Sequence, residues 1–200
     1  GLTCVYDAMA MDYLYADVNN IMIMLGNHDM DRIADVVKDQ DPRRVKLANV
    51  LLATMRGIPQ VFYGDEYGMK SADRSLGHST LRMPLPLGEQ VTPEQKEMFD
   101  FQSRLFQWRK GEKVIHTGKT MHFMSRDNTY AYFRYNEEEA VFVFANASED
   151  SRTIPTAHYA EILSLYNPVG VDIMTGETVD LSKTNIKVQP LSTLVVKLKK

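Results

Sequence analysis

Apolar positions follow a helical spacing, broken by two short continuous apolar runs, as far as Gly111, and a period of two beyond it. Leu2, Val5, Tyr6, Met9 and Tyr13 recur at helical intervals and predict a helix within residues 2–15. Residues 21–25 (IMIML) are apolar on both faces and bounded by Asn19-Asn20 and Gly26, which predicts a strand buried on both sides, as in a parallel sheet. Asp41-Pro42 then opens a helix, with Asp41 as N-cap and Pro42 in the first turn. Its stripe is Val45, Ala48, Leu52 and Met55, widened by Leu51, and Gly57 stops it. Residues 60–63 (QVFY), ended by Gly64, predict a second short strand. Strand, helix, strand is a βαβ unit with its two strands parallel.

Residues 64–92 hold no long periodic segment, and a loop of that length in a compact domain is usually functional. Thr92-Pro93-Glu94-Gln95 is a capping box, followed by a stripe of Met98, Phe101, Leu105 and Trp108 that assigns Trp108 to the core. Beyond Gly111, residues 120–124, 129–135, 140–145, 171–174 and 193–198 read as strands separated by turn signals. Short strands at close spacing predict an antiparallel sandwich. The expected division is residues 1–111, an α/β part, and residues 112–200, an all-β domain.

Charge and composition narrow the function classes. Twenty-three basic against 26 acidic residues leave a net charge of −3, so no basic excess marks nucleic acid or an anionic membrane as partner. Cys4 stands alone, without a disulfide partner or a set of zinc thiolates. No apolar run approaches the ~18 residues of a membrane span. No signal-peptide pattern is present, which leaves secretion open and localisation unassigned.

Candidate chemistry concentrates in Gly26-Asn27-His28-Asp29, at the C-terminal end of the first predicted strand, the edge where parallel α/β folds gather ligands and catalytic groups. Equally, Asn27 and Asp29 could serve the turn and the N-cap of a short helix over residues 31–37. His28 and Asp29 are two ligands, short of a closed metal shell, so no metal site is expected. Asp65-Glu66 follow the second strand and read as solvated loop carboxylates. Arg82, in the long loop, suits a carboxylate, a sugar hydroxyl or open solvent. His116, His122 and His158 receive no role, and Glu137-Glu138-Glu139 reads as a charged hairpin tip.

With these residues in view, Gly26-Asn27-His28-Asp29-Met30-Asp31-Arg32 resembles the strand-seven motif of the α-amylase superfamily of glycoside hydrolases. Gly57-Ile58-Pro59-Gln60-Val61-Phe62-Tyr63-Gly64-Asp65-Glu66 resembles the strand-eight segment of the same superfamily. Residues 98–111 are similar to its last barrel helix and the remainder to its C-terminal β-sandwich; within the superfamily the chain looks most like the neopullulanase and cyclomaltodextrinase group. The implied architecture is the end of a (β/α)₈ barrel, strands seven and eight, followed by an antiparallel β-sandwich.

The resemblance also implies chemistry. Such enzymes cleave α-glucosidic bonds with retention, using a nucleophile and a general acid ~5–5.5 Å apart. A third acid binds sugar hydroxyls and favours the oxocarbenium-like ring. By motif match Asp29 is that acid and His28 bonds a hydroxyl of the same sugar. Asn27, Arg32, Asp73 and Arg82 are substrate-binding candidates. The nucleophile and general acid belong to strands four and five, which have no counterpart here, so the chain is expected to be a C-terminal portion, inactive alone and prone to self-association through exposed barrel edges. No cofactor is expected in it; calcium is possible in the complete enzyme. The expected ligand is an α-glucan. Two alternatives stay open: a non-catalytic carbohydrate-binding module using sandwich aromatics such as Tyr130 or Tyr132, and a relative that transfers or isomerises glucosyl units.

Overall fold

A computed structural model describes residues 1–200. By internal contacts the chain forms two compact units. One joins Met22–Ala53 to Gly57–Gly111; the other joins Gly1–Ile21 and Thr54–Arg56 to Glu112–Lys200. In this division the first 21 residues pack with the sandwich, tied to it by the polar anchors described below.

In the first unit, β1 (Met22–Met24) and β2 (Ile58–Gln60) pair in parallel, with Met22 opposite Ile58 and Met24 opposite Gln60. The parallel βαβ order is as the pattern predicts, but two details differ. The second strand is Ile58–Gln60, so of the expected residues 60–63 only Gln60 lies in it and Val61, Phe62 and Tyr63 follow it. Nor is β1 buried on both sides: Met22 is 57% exposed and Ile58 54%. Between them lie α2 (Ile33–Val36) and α3 (Pro42–Thr54). Asp41 caps α3 by accepting from the Arg43 amide at 2.9 Å. Helix α4 (Pro93–Gly111) starts on the predicted box, with Thr92 N–H donating to Gln95 Oε1 at 3.0 Å and Gln95 N–H to Thr92 Oγ1 at 3.2 Å. Buried Met98 packs with Ala34 and Val45, with Phe101 at the margin. Trp108 is only half-buried. Arg109 goes inside instead, donating to the carbonyls of Ala53 and Gly57, both at 2.6 Å, and so closing the end of α3.

In the second unit a six-stranded sheet runs β3-β4-β5-β10-β7-β8 and faces a two-stranded sheet, β6-β9. The strands are β3 (Lys119–His122), β4 (Thr129–Tyr135), β5 (Glu139–Asn146), β6 (Arg152–Pro155), β7 (Val169–Asp172), β8 (Thr178–Asp180), β9 (Asn185–Val188) and β10 (Ser192–Lys199). All their pairings are antiparallel. Phe133, Phe142, Ile154, Ile162 and Val196 centre the core, which Tyr159 joins with its hydroxyl pushed up by burial to about 12. Strand β4 is buried on both faces. Ala131 and Phe133 enter that core, while Tyr130, Tyr132 and Arg134 face the other way, under α1 (Leu2–Ala10), α5 (Lys113–Thr117) and Thr54. Tyr132 OH and Thr54 Oγ1 share a 2.5 Å hydrogen bond, and the Tyr6 ring lies tilted against His122, whose Nδ1 is 3.0 Å from Tyr130 OH. With exposures of 1% and 0%, Tyr130 and Tyr132 offer no sugar platform, contrary to expectation. Arg56 forks onto Asp12 in the same layer. The predicted first helix stops at Ala10, so Tyr13 leaves the stripe and is exposed.

Candidate active site

Strand β1 ends at Met24, and a tight turn follows it. Asn27 Oδ1 accepts from the Asp29 amide at 2.8 Å, and Met30 N–H donates to Asn27 O at 3.3 Å. This is an Asx turn, so the Asn27 side chain shapes the loop. The turn sends His28 and Asp29 outward. Their side chains are 59% and 67% exposed, with His28 Nε2 3.1 Å from Asp29 Oδ2. Arg82, from the loop beyond β2, brings its Nη2 to 3.7 Å from Asp29 Oδ1. An imidazole, a carboxylate and a guanidinium thus converge at the C-terminal end of a parallel strand pair, an arrangement able to bind several hydroxyls and to stabilise positive charge.

Below them the picture differs from expectation. Arg32 is 1% exposed and so does not present itself to a sugar. It donates to Tyr63 O at 2.9 Å, Asp65 Oδ1 at 2.7 Å and Leu81 O at 2.7 Å, and its guanidinium lies 4.5 Å from the Phe62 ring centroid. Asp65 is correspondingly a buried partner, not a solvated carboxylate. Burial pushes its carboxyl up to about 6, against the hydrogen bond from Arg32. Glu66 accepts from the Gly64 amide at 2.7 Å. Asp73 accepts from the hydroxyl and amide of Ser75, at 2.6 and 2.9 Å, which hold its carboxyl below the usual range. Two further ties join the same loops, Arg74 to Asp31 at 2.8 Å and the Ser71 amide and hydroxyl to Asp35 at 2.9 and 2.6 Å. Nothing local in the sequence marks those pairs, since each spans 36 residues or more.

The profile of the alpha amylase catalytic domain matches residues 6–156, and that of the cyclo-malto-dextrinase C-terminal domain matches residues 120–197. The chain belongs to the α-amylase family. It is 28% identical over 186 residues to a 4-alpha-glucanotransferase of Thermotoga neapolitana, covering 85% of this chain and 38% of that protein. To the maltogenic alpha-amylase of Bacillus acidopullulyticus it is 25% identical, covering 88% of this chain and 30% of the other. A cyclomaltodextrinase of Geobacillus thermopakistaniensis is 27% identical over 135 residues, 66% of this chain and 22% of the other. The chain thus spans between about a fifth and two fifths of the length of these relatives.

Among solved structures, the alpha-amylase of Geobacillus thermoleovorans complexed with acarbose superposes with a TM-score of 0.77 at 18% identity, covering 98% of this chain and 43% of that one. A gamma-CGTase of alkalophilic Bacillus clarkii gives 0.76 at 20% identity, covering 98% and 29%. The fold is that of the α-amylase family, part of a barrel with the domain that follows it.

Proposed function

We propose that the chain is the C-terminal part of an enzyme that cleaves or transfers α-glucosidic bonds in starch-derived glucans with retention. In this reading β1 and β2 are barrel strands seven and eight, residues 1–111 belong to the catalytic barrel, and residues 112–200 are its C-terminal domain. Asp29 stabilises the oxocarbenium-like transition state, His28 bonds a hydroxyl of the same sugar, and Arg82 completes the polar rim. The nucleophile and general acid come from outside these 200 residues, so the chain alone has no glycosidase activity. No cofactor is assigned to it, and calcium is left to the complete enzyme. The observation that carries the reading is the exposed pairing of His28 with Asp29, 3.1 Å apart, at the C-terminal end of a parallel strand pair. The relatives named above include both hydrolases and transferases, so both outcomes stay within it.

Two further parts of the reading follow from surface. A net charge of −3 suits a neutral sugar that needs no electrostatic steering. Exposed Met22 and Ile58, opposite each other on a two-stranded sheet, favour self-association of the isolated chain. Calorimetric titration with a maltooligosaccharide tests the site: binding lost in Asp29→Ala and His28→Ala supports it, and binding indifferent to both overturns it. Sustained release of reducing sugar by the purified chain, abolished by Asp29→Ala, would overturn its inactivity.

A further inference from the structure

Arg32 is a cation closed to solvent, with a side-chain exposure of 0%. Such a group is tolerated only where fixed partners replace its water. Those partners come from separated places: Tyr63 O and Asp65 Oδ1 just after β2, and Leu81 O near the end of the loop. The bend between Tyr63 and Asp65 is shaped to admit it. Gly64 has φ +89°, and a Cβ there would lie 3.2 and 3.3 Å from the two terminal guanidinium nitrogens and 2.5 Å from Met69 Sδ.

Leu81 is itself buried, and the next residue is Arg82, whose guanidinium reaches Asp29 at 3.7 Å. Asp29 in turn precedes Arg32 by three residues. One buried fork therefore grips both sides of the exposed pair, the Asp29 side through its own backbone and the Arg82 side through the Leu81 carbonyl. We infer that Arg32 is a positioning residue that sets Arg82 against Asp29 from beneath and does not itself meet sugar. The inference deepens the assignment of Asp29 as the functional acid, and rests on that assignment only for its consequence in catalysis. Lysine cannot substitute, because a point charge does not span Asp65 and Leu81 as a planar fork does.

Nuclear magnetic resonance on the 200-residue chain tests the coupling. With Arg32 intact, Arg82→Ala shifts the signals of Asp29 and His28. In an Arg32→Lys background the same change shifts them by less than about a third as much. The double variant Arg32→Met/Asp65→Leu replaces the buried pair without leaving a lone charge, and is expected to show the same loss. Amide protection at Ile23 and Met24 reports that β1 and β2 stay paired. A full response to Arg82→Ala in either background that keeps this pairing overturns the inference. So does loss of the pairing in both, since Arg32 would then serve the fold and not the placement of Arg82. None of these readouts involves glucan, so a failure of the chain to bind maltooligosaccharide counts against the proposed function and leaves this result standing.

Discussion

The buried guanidinium of Arg134, near the end of β4, donates to the side-chain oxygen of Asn19 at 2.8 Å across 115 residues of sequence. It also donates to Ile115 O at 2.8 Å and Thr120 Oγ1 at 2.5 Å. One strand residue thus holds the N-terminal segment, α5 and β3 together on the outer face of β4. Charge-assisted bonds of this kind contribute more than neutral ones, and their loss leaves buried acceptors unpaired.

Arg134→Met is therefore expected to destabilise the sandwich unit by about 3 kcal/mol. Denaturant unfolding measures the loss. Hydrogen exchange should locate it in residues 1–21 before the strands β5 and β10 open. Uniform opening of the unit, with residues 1–21 no faster than the rest, would contradict the anchor.

What the sequence made legible follows the reach of its signals. Helix α4 and strands β4, β5 and β10 are long and strongly patterned, and each lies where its period or its caps put it. The turn signals around β6, β8 and β9 hide strands of three or four residues, too short to show a period. The site divides the same way. His28 and Asp29 are visible because motif and strand end coincide. The burial of Arg32 is not legible, because its partners lie 31 to 49 residues away and burial of a cation leaves no local mark. Tyr130 and Tyr132 suggest an exposed face because they alternate with core residues. Their face is covered by α1, α5 and Thr54, which no period in β4 reveals.

The ionisation of Asp65 gives a pH dependence of defined sign. Its folded carboxyl is pushed up from the ordinary 3.8 to about 6, because desolvation outweighs the bond from Arg32. Between those values the folded chain holds a proton that the unfolded chain has released, so the favourable contribution is complete below 3.8 and lost as pH rises through 6. Relative to Asp65→Asn, the natural chain should lose stability between those limits, by up to about 3 kcal/mol for a shift of this size. Urea midpoints of both proteins on either side of the window test it. A constant difference would mean that Arg32 keeps the carboxylate charged throughout.

Self-association should respond to charge on the small sheet. Met22 and Ile58 are register partners, both more than half exposed, on strands that pair only with each other. Met22→Lys places a charge where a second sheet would pack, the device natural edges use. Sedimentation velocity is expected to show concentration-dependent species in the natural chain and a weaker dependence in the variant. A natural chain that sediments as one monomeric species at all concentrations would refute this.

Asp29→Asn separates binding from turnover once the segment is placed in a complete enzyme of the family. The amide keeps the size of the carboxylate and its ability to accept from a hydroxyl, but removes the charge that opposes the developing oxocarbenium. Interactions that strengthen only in the transition state lower kcat and kcat/KM together when removed, whereas uniform binding appears in KM. The expected result is a fall in kcat of at least ~10²-fold, comparable to losing one preorganised transition-state contact elsewhere, with KM changed far less. His28→Ala should instead act mainly on KM, with a smaller fall in kcat, since its hydroxyl bond is already made in the ground state. Steady-state kinetics on a soluble maltooligosaccharide distinguishes the two. A variant with unchanged kcat and a raised KM would make Asp29 a binding residue and remove it from the chemistry.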